Sequence, residues 1–267
     1  MKFDHLVHFS IDPVQSMEEA GRYGIRAFFG GEHEPWGTYN TLAFFGLPYI
    51  EWIGIRDSRR TEAEQDNRLI QQVAGEQHKG DHLLTFAMRT DDINQEARKF
   101  EAKGIKTKGP LPGSRLQENG ELLKWSMLFI ENENENSVCP YPFFIEWGES
   151  DEKRLERLQE MKNEKIHLQA IYIAVSDQQA ALAEYQSLFG LEVSGSFHSA
   201  ELGAACTQVY LEGCNLIFCE PAGDGPVKEV IEQYGQVPFK VGLIKQSGEG
   251  TTTFLIGKVP YQITNRP

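Results

Sequence analysis

Four side chains of this 267-residue chain are of types that hold divalent metals or move protons, and they fall in two matching pairs of words. Residues 4–6 read DHL and residues 50–52 read IEW. The same words return in the same order as DHL at 81–83 and IEW at 145–147. Each pair sets a histidine and then a glutamate in apolar, strand-like surroundings: His5 with Glu51, His82 with Glu146. A glutamate ionised on a buried strand face is costly unless it is paired or bound to a cation. Taken singly, each histidine reads as a hydrogen-bonded core residue. Repeated in register with the glutamates, the four read as a metal site, or as the relic of one. Two imidazoles and two carboxylates suit zinc, nickel, manganese, cobalt or ferrous iron. Four protein ligands in an octahedral geometry leave two positions for water or for a small-molecule substrate that chelates through oxygen.

Strands are needed to position such a set. The run FDHLVHFSI (3–11) is β-rich and leads into DPVQSMEEAGRYG, with Asp12 as helix N-cap, Pro13 at the first helical position and Gly24 as the stop. Strands IRAFF, TYNTLAFFG and PYIEWIGIR follow, giving the order β-α-β-β-β. A connector rich in Glu, Gln and Arg covers 57–80 and reads as helical. The order then restarts with the strand DHLLTFAMRT and the helix DINQEARKFEAKG, whose apolar face is Ile93, Ala97 and Phe100. The spacing predicts an α+β chain of repeated βαβββ units paired into curved sheets around a cleft. Units 1–56 and 81–149 make one domain, 1–149. Residues 150–165 are a helical linker, and 166–267 form a degenerate domain with a third unit and an abbreviated fourth.

Alternate residues of a strand share a face. The step from His5 to Asp12 is odd, and so is the step from His82 to Asp91, which places both histidines on equivalent, cleft-facing sides. From His167 to Asp177 the step is even, so this third HL is expected to face away, with Leu168 or Ala170 inward. Glu220 sits at a strand end beside Pro221, and the fourth unit offers Lys240 in place of a histidine. The second pair is therefore expected to be metal-free, serving as a structural cover, a homodimer surface or a lid.

Composition narrows the function. The net charge is −13, so there is no basic face for a nucleic acid or an anionic membrane. No apolar run is long enough to span a bilayer, and the N-terminus lacks a signal-peptide pattern. The four cysteines, Cys139, Cys206, Cys214 and Cys219, form no CxxC pair or disulfide framework, so the expected setting is the cytoplasm and the thiols are expected to be buried. In GGEHEPWGTYN (30–40), His33, Trp36, Thr38 and Asn40 are candidates to line the cleft mouth; the other reading is a glycine-rich hairpin plugged by Trp36. Arg115 in GSRLQ is a candidate carboxylate binder through its planar fork, set against an ordinary solvated loop arginine. The acidic run ENENEN (131–136) reads as a solvated loop rather than a calcium site.

Paired βαβββ units with a histidine on the first strand and a glutamate on the fourth resemble the vicinal oxygen chelate superfamily, which includes glyoxalase I, methylmalonyl-CoA epimerase, bleomycin-resistance proteins and extradiol dioxygenases. GGEHEPWGTYN and GSRLQENGELLKW are similar to the glyoxalase-like branch of bacterial proteins. The resemblance covers about residues 1–150 and implies metal ligation by His5, Glu51, His82 and Glu146. By analogy with that superfamily, Glu51 or Glu146 would also serve as the catalytic base. It implies a metal-dependent lyase or isomerase. The alternatives are a non-catalytic small-molecule-binding or resistance-type protein, and a ring-cleaving dioxygenase.

Overall fold

The computed structural model describes residues 1–116, 122–131 and 140–266. Cys139 and most of the ENENEN run lie outside them. The first unit runs β1 (Lys2–Phe9), α1 (Pro13–Arg22), β2 (Phe28–His33), β3 (Thr38–Phe44) and β4 (Tyr49–Ile55). Asp12 caps α1 by accepting from the Val14 and Gln15 amides, with Pro13 at the first helical position, as the sequence predicts. The connector holds α2 (Ser58–Ala63) and α3 (Arg68–Glu76). The second unit repeats the order as β5 (His82–Arg89), α4 (Ile93–Ala102), β6 (Thr107–Leu116), β7 (Leu122–Ile130) and β8 (Phe143–Trp147).

These strands form one eight-stranded sheet, β2-β3-β4-β1-β5-β8-β7-β6, in which β1 and β5 meet antiparallel at the centre. The pairing is two-fold symmetric. His5 lies opposite Ala87, Leu6 opposite Phe86 and Val7 opposite Thr85, so the axis passes at Leu6 and Phe86. The sheet curls into a half-barrel whose hollow is lined by Val7, Phe9, Ile53, Met127, Phe143 and Ile145.

After α5 (Asp151–Leu158) the third unit supplies β9 (Ile166–Ala174), α6 (Gln178–Phe189), β10 (Val193–Ser199), β11 (Ala204–Val209) and β12 (Asn215–Pro221). Then come α7 (Pro226–Tyr234), β13 (Pro238–Gln246), β14 (Gly250–Ile256) and β15 (Val259–Arg266). The fourth unit has no helix between β13 and β14 and no counterpart of β2. These strands make a seven-stranded sheet, β10-β11-β12-β9-β13-β15-β14. The two sheets pack back to back through a common core that includes Leu6, Trp52 and Phe86 from the first and Ile171, Val241 and Tyr261 from the second.

His8 shows what the outward face of β1 is for. Its Nδ1 lies 2.9 Å from the Tyr261 hydroxyl inside that core. Burial, with the charge of His82 adding, pushes its pKa down to about 3. It is a neutral packing histidine that joins the two sheets.

Candidate functional site

The hollow of the first sheet is a cleft of about 710 Å³, part of it open to solvent, and its polar wall starts at a bulge. The register of β1 against β5 slips between Phe3 and His5, and the residue in the slip is Asp4. A bulge re-aims its side chain. Here it turns the Asp4 carboxylate to accept from Trp147 Nε1 (3.0 Å) and Arg154 Nη1 (3.2 Å) and to meet His5 Nδ1 (2.7 Å), all out of water. Burial raises the Asp4 pKa, but Arg154, His5 and Trp147 together outweigh it and hold the carboxyl below its usual value. With Nδ1 engaged, His5 presents Nε2 to the cleft, 3.6 Å from Glu51 Oε2. Its ring lies against Tyr49 at 4.5 Å.

Glu51 sits opposite Val7 on the parallel neighbour of β1 and faces the same hollow. Asn40 Nδ2 donates to its Oε1 at 2.5 Å, and Asn40 Oδ1 accepts in turn from Arg115 Nη1 at 3.3 Å. Arg115 comes from β6, the far edge of the sheet, and two glycines let it reach Asn40. A Cβ on Gly30 would stand 2.1 Å from Asn40 Oδ1, and one on Gly31 (φ +132°) would stand 3.0 Å from Arg115 Cδ. The buried Arg115 Nε has no hydrogen-bond partner. Burial lowers the Arg115 pKa, against the charges of Tyr49 and Glu51. The rest of the wall is aromatic. Trp36 and Trp125 lie 6.3 Å apart and Trp125 and Trp147 5.8 Å apart, with His33 edge-on to Trp125.

His33, Trp36, Asn40 and Arg115 thus line the cleft, as does the His5–Glu51 pair. Thr38 is among the expected lining residues but is positioned behind them. Its hydroxyl lies 3.0 Å from His33 Nδ1 and orients that ring. Burial lowers the His33 pKa to about 4, with Glu51 opposing and Arg115 adding, so the ring is neutral near pH 7.

The structure does not bring His82 and Glu146 to this place. Because β1 and β5 run antiparallel, His82 lies opposite Phe9 while His5 lies opposite Ala87. Four residues of strand separate the two positions, roughly 13 Å at the usual rise. His82 stacks on Tyr234 of α7, and its Nε2 lies 3.0 Å from Glu76 Oε2. Glu146 accepts from the Ile93 amide at 2.7 Å and so caps the start of α4. Glu220 does the same in the third unit, accepting from Gln178 at the start of α6. A carboxylate there complements the positive end of the helix. The counterpart of His5 in the second unit is Thr85, and that of Glu51 is Phe143, which pairs with Ala87 as Glu51 pairs with Val7.

The expected four-donor metal centre therefore lacks half its ligands. Thr85 donates its hydroxyl to the Tyr141 carbonyl, and Phe143 has nothing to offer a cation. Among the described residues, no group of three or more His, Cys, Asp or Glu side chains is placed to hold a metal ion. What the sequence reading missed is Asp4. It stands inside the word DHL itself, and its signal was an acid directly before the histidine.

Paired βαβββ units around a walled cleft define a protein of the vicinal oxygen chelate fold. The chain belongs to the glyoxalase-like domain family, whose profile matches residues 3–189 and so runs on through α6. No curated protein matches the chain. A hypothetical protein from Staphylococcus aureus superposes with a TM-score of 0.82 at 19% identity, over 99% of each chain. A variant of 4-hydroxymandelate synthase from Streptomyces coelicolor gives a TM-score of 0.59 at 11% identity, over 92% of this chain and 72% of the other. Methylmalonyl-CoA epimerase from Mycobacterium tuberculosis is similar over 55% of this chain and 86% of its own, at 13% identity and a TM-score of 0.39. At these identities the likeness is one of fold. Among the described residues no helix is long and apolar enough to cross a membrane.

Proposed function

We propose that the cleft binds a small, flat, carboxylate-bearing molecule and that Glu51, backed by His5, moves a proton on a carbon beside its carbonyl group. That is chemistry of the isomerase or lyase type. The observation that carries it is the polar chain Arg154–Asp4–His5–Glu51–Asn40–Arg115 along one wall of an otherwise aromatic cleft. Arg115 has an unpartnered buried Nε, one donor of the planar fork that a carboxylate engages with two bonds. The tryptophans offer flat faces to a ring. Glu51 takes the proton, and His5 Nε2 is near enough to share it. Asp4 fixes the imidazole through Nδ1, as the third member of a catalytic triad does. Arg115 stabilises the negative charge that the departing proton leaves on the substrate oxygens.

The experiment uses phenylpyruvate and mandelate in deuterium oxide, with loss of the carbon-bound proton followed by NMR and binding by tryptophan fluorescence. The wild-type protein is expected to bind and to speed exchange of at least one. Glu51→Gln should keep binding and lose exchange by about 100-fold or more. Binding without exchange in the wild type removes the catalytic half and leaves a sequestering module, a reading that the three cleft tryptophans also favour.

A further inference from the structure

The second pair of units has a hollow of its own, and its reactive side chains differ from those of the first. The pairing of β9 with β13 repeats that of β1 with β5, with Ile171 opposite Val241 and Tyr172 opposite Lys240. Lys240 thereby takes the place of Thr85, and Ala170 that of His5. Cys219 takes the place of Ile53, and Cys206, opposite Cys219, takes the place of Asn40. Part of this hollow is filled: Val227, Val230 and Ile231 of α7 pack with Cys206, Cys219 and Phe239 in one apolar cluster.

We infer that Cys206 and Cys219 are a modification site, a cross-strand dithiol that a small hydroperoxide closes to a disulfide. The two residues are direct partners on antiparallel β11 and β12, and their Sγ atoms are 3.4 Å apart. Directly opposed residues of an antiparallel pair have Cα separations of about 4.5 or 5.5 Å, and both lie within the range a disulfide spans. Closure to an S–S bond moves the sulfurs together by only about 1.4 Å. The thiols share a hydrogen bond, which lowers the Cys206 pKa against the effect of burial, and the Lys240 charge adds to that lowering. The same bond, burial and the Cys206 charge push Cys219 up. One thiolate beside one thiol is the arrangement that the chemistry needs.

The step balances as follows. The Cys206 thiolate attacks one oxygen of hydrogen peroxide and breaks the O–O bond, giving a sulfenic acid and, with a proton, water. The Cys219 sulfur then displaces the hydroxyl, which leaves as water with the Cys219 proton. The net reaction oxidises two thiols to one disulfide and reduces one peroxide to two waters. Both cysteines are almost fully buried, which excludes bulky disulfide reagents and leaves a small hydroperoxide as the oxidant to test. Cys214, equally buried, is hydrogen-bonded to the backbone of Asn215 and Ile171 and serves as an internal control.

The test treats the folded full-length chain with hydrogen peroxide and reads intact mass and mapped peptides. The expected result is loss of two hydrogens and a peptide linking Cys206 to Cys219, with Cys214 still alkylatable. Cys206→Ala and Cys219→Ala should each abolish the link, and Cys214→Ala should leave it; far-UV circular dichroism shows which variants fold. If neither partner variant folds, the wild-type peptide map decides alone. No thiol loss in the folded protein, a link through Cys139 or Cys214, or oxidation of Cys206 past the sulfenic acid without a link would overturn the assignment.

Discussion

Glu51 and Phe143 occupy the same position in the two halves of one sheet: Glu51 stands opposite Val7 on β1, and Phe143 stands opposite Ala87 on β5. The carboxylate wall of the cleft is therefore built from the first unit, and the second unit answers it with a ring. His5 against Thr85 repeats the asymmetry. A symmetric fold has been used to make a one-sided site, with the His5, Asn40 and Glu51 row of the polar wall supplied by β1, β3 and β4.

His82→Ala and Glu146→Gln are therefore expected to leave ligand binding in the cleft unchanged. Glu146→Gln weakens the charge at the start of α4 and should cost about 0.5–1 kcal/mol in denaturant unfolding. A loss of cleft binding in either variant would place these residues back in the site.

Asp4→Asn should be among the most damaging single changes. It keeps the shape but removes the nearer and fully buried of the two carboxylates that pair with Arg154, whose side chain is 2% exposed and lies over Trp147 at 4.3 Å. Removing one partner of a buried pair costs about 3–5 kcal/mol. Asp4→Asn together with Arg154→Met should recover part of that loss. A double variant as unstable as the single would show that the pair itself is not the cause.

Gly30→Ala tests the crossing of Arg115. The new methyl would sit 2.1 Å from Asn40 Oδ1, so the Asn40–Arg115 bond must break or β2 must shift. Overpacking of this kind costs about 1–3 kcal/mol. Carboxylate binding should fall with it. Binding and stability both at wild-type levels would mean that Arg115 holds its place without Asn40.

Acid should unfold the protein partly through two neutral histidines. In the fold His8 and His33 have pKa values near 3 and 4, below the ordinary value of about 6.5. As pH falls, the unfolded chain takes up protons first, so their contribution is complete above about 6.5 and is lost towards 3–4. Between pH 7 and pH 5 each contributes a loss of about 2 kcal/mol. The stability of His33→Gln should fall by about that much less than wild type over the same interval, read from urea midpoints. Parallel losses would contradict the His33 assignment.

The repeat was legible because its signals are local. Asp12 and Pro13 start α1, Asp177 starts α6, and alternating apolar residues mark the strands between them. His5 and Glu51 were legible too, since a buried acid beside a buried imidazole calls for a partner. The second half of the site was misread at the pair Asp91–Asp92. The helix is capped by Asp92, so the step from His82 to its cap is even, the same as the step from His167 to Asp177. The supposed ligand and its supposed look-alike are one structural position. A further bulge on β5 between the partners of Val7 and His8 also breaks simple parity there. Asp4 was hidden for a similar reason, because only pairing with β5 shows that it sits in a bulge. Arg115 reaches Asn40 by closure of the curled sheet, which no local pattern encodes.

The most direct measurement is the affinity of phenylpyruvate for four proteins, wild type, Arg115→Met, Glu51→Gln and His82→Ala, read by tryptophan fluorescence at fixed pH and salt. The account predicts measurable binding to wild type, at least about tenfold weaker binding to Arg115→Met, and little change in Glu51→Gln and His82→Ala. Arg115→Met binding as tightly as wild type, or His82→Ala losing as much as Arg115→Met, would contradict a carboxylate site built between Arg115 and the Asp4–His5–Glu51 wall.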